Sequence, residues 1–250
     1  MSLVIDLGLR PSMHVTILFF NSSPTKPNKM IEEKPAFLKW LTPLELAAAV
    51  ILVFAYNVWE VLPLSETPFI FILVLLSFWL RKEGWKSLGF VKPKSWLRTI
   101  IMGLCVGLGL QVFSFATEPV VTSVTGSPAD LSQFNEITGN STLLLIYFGL
   151  IWTLAAFGEE IAYRGLIVTR LSELFGSKQG SSIVAVILSS VIFGIGHYYK
   201  GPAGMIDSGI SGLTFGLLYV LSGRNLWLSI FAHGFTDTLG LLYFYFGFNQ

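Results

Sequence analysis

Three short stretches combine residue types that rarely meet in apolar sequence. The first is Phe157-Gly158-Glu159-Glu160-Ile161-Ala162-Tyr163-Arg164-Gly165. On a helix, Glu160 and Arg164 are i and i+4 with the acid N-terminal, the favourable order for an ion pair. Glu159 is turned about 100° away on the same helix. One carboxylate is thereby neutralised and its neighbour is left free in a low-dielectric place, the setting of a general base. The second stretch is Phe193-Gly194-Ile195-Gly196-His197, where a histidine closes an apolar run ahead of Tyr198, Tyr199 and Lys200. The third is His233-Gly234-Phe235-Thr236-Asp237, an i, i+4 pair flanked by Phe231, Phe235 and Leu239.

Each has a plainer reading. The Glu-Glu-Arg group lies near a hydropathy boundary and would suit a helix end reaching water. His197 would suit an interfacial aromatic belt. His233 and Asp237 would suit a mutually satisfied pair. Together the plain readings weaken. The chain has three histidines, and two of them fall in these stretches. A glutamate base, two histidines and an Asp/Arg support form a constellation that activates water. No P-loop is present, and neither an HExxH motif nor a GxSxG nucleophile elbow appears in these segments.

In order and spacing, Glu159-Glu160-x-x-x-Arg164, Phe193-x-x-x-His197 and His233-x-x-x-Asp237 resemble the three-motif signature of the CPBP family, the CAAX prenyl endopeptidases and bacteriocin-processing enzymes also called Abi proteins. The likeness covers about residues 140–245. It implies a polytopic, glutamate-type intramembrane endopeptidase that hydrolyses a peptide bond with no covalent acyl-enzyme. Carried over residue by residue, Glu159 is the general base and His197 holds the attacking water with it. His233 and Asp237 stabilise the oxyanion, and Glu160, Arg164 and Phe193 support. One position departs from the commoner pattern, which ends in Asn. An ionised Asp237 has no proton to donate, so it either orients His233 or is itself protonated. No metal or other cofactor is implied. The expected partners are a peptide or protein substrate, with its lipidation left open, and the lipid bilayer; nucleic acid is not among them.

Two other readings stay open. The same Glu159, His197, His233 and Asp237 are types that ligate zinc in a membrane metalloprotease. A non-enzymatic transporter, scaffold or bacteriocin-immunity factor would use the intramembrane charges for a proton or substrate path.

The elements that position these residues follow from composition. The chain has 250 residues, 53% hydrophobic and 12% charged, against roughly 25% charged in a soluble domain. A net charge of +1 gives no general field for nucleic acid. The single cysteine, Cys105, excludes an internal disulfide. The fold class is therefore all-α, a polytopic membrane bundle of about seven (six to eight) transmembrane helices in one domain over 43–250. Residues 1–42 are expected to be a partly disordered N-terminal extension. The apolar segments are roughly 43–62, 67–81, 99–117, 142–163 (continuing to about Phe175), 182–199, 203–222 and 226–246. Glu45, Glu60 and Asp207 lie near segment ends and are read as reaching the interface. Gly103/Gly107 and Gly212/Gly216 are spaced as GxxxG for close helix packing.

Lys and Arg concentrate in the N-terminal segment and in the connection holding Arg81, Lys82, Lys86, Lys92, Lys94 and Arg98, with Arg170, Lys178 and Arg224 on the same side. Only Lys200 falls opposite, which predicts a cytoplasmic N-terminus. On these limits Glu159 falls near the cytoplasmic end of the fourth segment and His197 near the far end of the fifth. A shared site then requires a long fourth helix or shifted limits.

Overall fold

A computed structural model describes residues 37–62, 66–176 and 179–248, and everything said of the fold concerns these. The expected extension lies outside them except for residues 37–42, which are already helical. Eight α-helices are present: α1 (Phe37–Asn57), α2 (Thr67–Arg81), α3 (Trp96–Thr125), α4 (Ser141–Leu150), α5 (Thr169–Leu174), α6 (Gln179–Ile195), α7 (Gly201–Leu221) and α8 (Leu226–Tyr245). No strand occurs among the described residues. The ends obey local chemistry. The side chains of Ser95, Asn140 and Asn225 accept backbone N–H bonds at the starts of α3, α4 and α8, and Gly126 closes α3 in the left-handed region, where a residue without Cβ is unstrained.

Two π-helical stretches, Ile151–Glu159 and Ile161–Val168, join α4 to α5. The result is one apolar helix from Ser141 to Leu174, 34 residues long. That exceeds the roughly 20 residues a bilayer crossing needs. Glu159 sits near its middle, so the fourth segment is the long helix that a site shared with His197 requires. The regular α spacing expected across Glu159–Arg164 is replaced by the wider i→i+5 pattern, which recurs at functional sites.

Four helical stretches are long and apolar enough to cross a membrane: Trp40–Asn57, Trp96–Thr125, Ser141–Leu174 and Tyr198–Leu221. Thr67–Arg81 and Gly180–Ile195 are apolar but shorter. The 20-residue α8 carries His233 and Asp237 in mid-sequence, which dilutes its apolar character. Alternation is written in the loop contacts. The Asp130 N–H bonds the Lys200 carbonyl, joining the exits of α3 and α6. The Gly139 N–H bonds the Tyr245 carbonyl, joining the entry of α4 to the exit of α8. The Leu226 N–H bonds the Gly89 carbonyl, joining the entry of α8 to the loop after α2.

Packing is inverted relative to a water-soluble domain. Leu145, Val112 and Trp79 are about three-quarters exposed, while Glu160, Arg164 and Arg170 are at 0–1%. The GxxxG reading holds. A Cβ at Gly103 or Gly107 would strike Phe231, Phe235 and the Ala232 and Thr236 backbone of α8, and one at Gly212 or Gly216 would strike Phe193 and Val186 of α6.

Glu45 corrects the sequence expectation. It does not reach an interface; it is 2% exposed. Arg81 binds it through two nitrogens at 2.6 and 3.0 Å, and Arg170 approaches at 3.2 Å. Arg170 also meets Glu83 at 2.8 Å and Glu173 at 2.9 Å. Counter-charges from α2 and α5 thus make burial of the α1 carboxylate affordable. Glu60 is exposed and Asp207 partly so.

Candidate active site

The π-helical run presents Glu159, Glu160 and Arg164 to the bundle interior. Glu160 Oε1 accepts from Arg164 Nη1 at 2.6 Å, so the ion pair expected from spacing is present and is buried on both sides. Arg164 Nη2 donates to the Gly212 carbonyl of α7 at 2.8 Å. The guanidinium lies 4.8 Å from the Phe193 ring and 5.3 Å from the Phe215 ring. A buried cation gains from both a carboxylate and aromatic faces. Gly212 lets α7 approach closely here, since a Cβ would fall 3.0 Å from the Phe193 side chain and press on it.

The same Glu160 oxygen meets His233 Nδ1 at 2.9 Å. On the other edge of the ring, His233 Nε2 lies 3.3 Å from Asp237 Oδ2. His233 is therefore held between two carboxylates, and its ring stacks on Phe215 at 4.8 Å. Sequence spacing pairs His233 with Asp237 alone; the bond to Glu160 is tertiary and outside its reach. Asp237 is thus placed against Nε2, within reach to orient the ring.

His197 stands in the turn after α6, partly exposed. Its Nδ1 lies 2.8 Å from the Phe193 carbonyl. A carbonyl only accepts, so Nδ1 carries the proton of the neutral ring and Nε2 keeps its lone pair. Phe193 is the hub of the site: its ring is 4.6 Å from His197, 5.9 Å from His233 and 4.8 Å from Tyr163.

Both carboxylates have a buried Oε2 with no hydrogen-bond partner among the described residues. Glu159 differs from its neighbour in that no arginine or histidine pairs with it, whereas Glu160 Oε1 binds Arg164 and His233. The charges acting on Glu159 are those of His233, Glu66, Asp237 and Lys200. His233 and Asp237 also act on His197. All four proposed catalytic side chains thus share one electrostatic environment. Glu66 and Lys200 enter it without having been singled out by sequence. Lys200 had a signal, being three residues beyond His197. Glu66 had none: it precedes α2 in a short connection, and Thr67 packs its Cγ2 against Gly158. Burial is the main influence on Glu66 and raises its carboxyl above the ordinary range. The third histidine, His14, lies outside the described residues. Among the described residues no group of three or more His, Cys, Asp or Glu side chains is arranged to hold a metal ion.

Residues 141–239 match the family described as Type II CAAX prenyl endopeptidase Rce1-like. The matched span contains Glu159, Glu160, Arg164, Phe193, His197, His233 and Asp237. No curated protein and no solved structure matches the chain. The four long apolar helices, together with this match to a membrane-protease family, point to an integral membrane protein.

Proposed function

From the Rce1-like domain at residues 141–239, we propose that this protein is a glutamate-type intramembrane endopeptidase. The observation that carries the reading is the contrast between adjacent carboxylates. Glu160 is neutralised through Oε1 by Arg164 and His233, whereas Glu159 makes no ion pair or hydrogen bond among the described residues and has a buried Oε2. A water placed between Glu159 and the bare Nε2 of His197 gives up a proton to Glu159. The resulting hydroxide attacks the scissile carbonyl. The tetrahedral oxyanion is stabilised from the His233–Asp237 side, where the 3.3 Å contact is looser than the one to Glu160 and leaves Nε2–H to be shared with it. Collapse breaks the C–N bond, and Glu159 returns the proton to the leaving amine. Donors already fixed in a water-poor site are the main source of rate.

The substrate class follows the family description: a CAAX-type protein or peptide tail, prenylated, approached within the bilayer. About seven crossings are proposed, with α2, α6 and α8 spanning beside the four long stretches and the N-terminus cytoplasmic. Alternating loop contacts support the count. Arg81 and Arg170 are consumed in the Glu45 network, so orientation rests mainly on Lys82, Lys86, Lys92, Lys94 and Arg98.

The test uses the full chain in proteoliposomes with a farnesylated CAAX peptide. Release of the tripeptide, unchanged after dialysis against a chelator, is expected. Loss on chelation that zinc restores favours the metalloprotease. Absence of any cleavage favours the non-enzymatic reading.

A further inference from the structure

Among the described residues, Lys200 is the one cation beside the proposed site that the mechanism leaves unused. It ends the turn Tyr198–Lys200, immediately after His197. The turn is fixed at three points. The Lys200 N–H bonds the His197 carbonyl at 2.9 Å, the Lys200 carbonyl accepts from the Asp130 N–H at 2.9 Å, and the lysine stem packs on Gly204, where a Cβ would clash with it. The ammonium lies 5.7 Å from the Tyr199 ring, whose neighbour across the site is His197 at 5.9 Å. Tyr199, Asp237, Glu159 and Asp207 all act on Lys200 electrostatically. None of the acids closes to an ion pair with it among the described residues. The arginines offer a contrast: Arg81, Arg164 and Arg170 each hold a carboxylate within 3.2 Å.

Glu159 and Asp237 are carboxylates within the electrostatic reach of Lys200, and an ionised carboxylate repels an incoming anion. A positioned, unpaired ammonium offsets that repulsion at one place. The α7 N-terminus begins at the next residue and has no side-chain cap, which adds positive potential there. We propose that Lys200 is a specificity-determining residue that binds a substrate carboxylate close to the scissile bond. Three residues of extended chain span roughly 10 Å, so the carboxylate is the C-terminal one of a short leaving peptide or an acidic side chain within it. The inference rests on the endopeptidase reading.

The test compares three farnesylated CAAX peptides in proteoliposomes: one with a free C-terminal carboxylate, its C-terminal amide, and an amide with an acidic residue in the last three positions. Wild type is expected to prefer the free acid over the plain amide about 10- to 100-fold, the range of a partly desolvated charge contact, with the difference in KM. In Lys200→Met that preference falls to about one, and Lys200→Arg restores part of it. Rescue of the amide by the internal acid assigns the contact to side chains as well. A loss in kcat, equal on all three peptides, overturns the proposal and makes Lys200 a support for Glu159. An acid preference that survives in a folded Lys200→Met protein overturns it too. Failure of the underlying reading looks different: wild type and Glu159→Gln then behave alike on every peptide, and the inference falls with it.

Discussion

Glu160 and His233 stand 73 residues apart in the chain and meet at 2.9 Å through the same carboxylate oxygen that binds Arg164. That oxygen links the long π-containing helix to α8. Through Arg164 and the Gly212 carbonyl it reaches α7. The helices bearing Glu159 and His233 are thus registered by a buried charge relay rather than by apolar packing alone. Glu160→Gln leaves Arg164 without its counter-charge in the interior. Breaking one partner of such a pair costs about 3–5 kcal/mol. A clear fall in the thermal midpoint of the detergent-solubilised protein is expected, together with loss of cleavage; a midpoint equal to wild type contradicts the relay.

Asp237 lies against His233 Nε2, and an amide oxygen can accept from the same nitrogen. Asp237→Asn should therefore keep activity within about tenfold, whereas Asp237→Leu, which removes the acceptor, should lose about 10²-fold or more. Peptide cleavage rates measure both. Complete loss in the Asn variant contradicts the orienting role.

Helix packing makes a contrast inside α3. A Cβ at Gly107 would fall 2.9 Å from the Thr236 backbone nitrogen, while a Cβ at Gly109 meets nothing within 4 Å. Gly107→Val forces α3 from α8 and is expected to destabilise by about 1–3 kcal/mol. Gly109→Ala should be neutral or slightly stabilising. Thermal unfolding of the two variants checks the pair.

The charge network at the other end gives a pH signature. Partial burial alone would raise the Glu83 carboxyl, but its hydrogen bond to Arg170 and that residue's charge outweigh this and hold it below its ordinary value of 4.5. A lowered folded value means the contribution is full above the ordinary value and fades as pH falls through the folded one. Glu83 is about a quarter exposed, so solvent reduces the effect. Stability of wild type should decline between about pH 5 and pH 3, and Glu83→Gln should flatten that limb. An unchanged limb would show that other carboxylates dominate it.

Sequence carried much of this architecture and part of the site. Segment positions were legible because lipid requires long apolar helices, and α2 and α7 fall within a residue or two of the hydropathy edges. The longer α3 was not, because its ends are set by Ser95 and Gly126 rather than by hydropathy. The i, i+4 pairs Glu160–Arg164 and His233–Asp237 were legible as local geometry. The bond between those two pairs was not, since no spacing encodes a contact between distant helices. The π-helical register was equally hidden: the residues of 151–168 have an ordinary helical composition. Glu45 was misread because its neighbours along the chain are apolar, while its counter-charges come from α2 and α5.

The central claim is that Glu159, and not its paired neighbour, activates the attacking water. The most direct measurement is the cleavage rate of Glu159→Gln beside wild type on the same farnesylated CAAX peptide, with thermal midpoints recorded for both. The account predicts a loss of about 10²- to 10⁴-fold, the usual contribution of a general base, with an unchanged midpoint. A Glu159→Gln protein that cleaves within about threefold of wild type would contradict it.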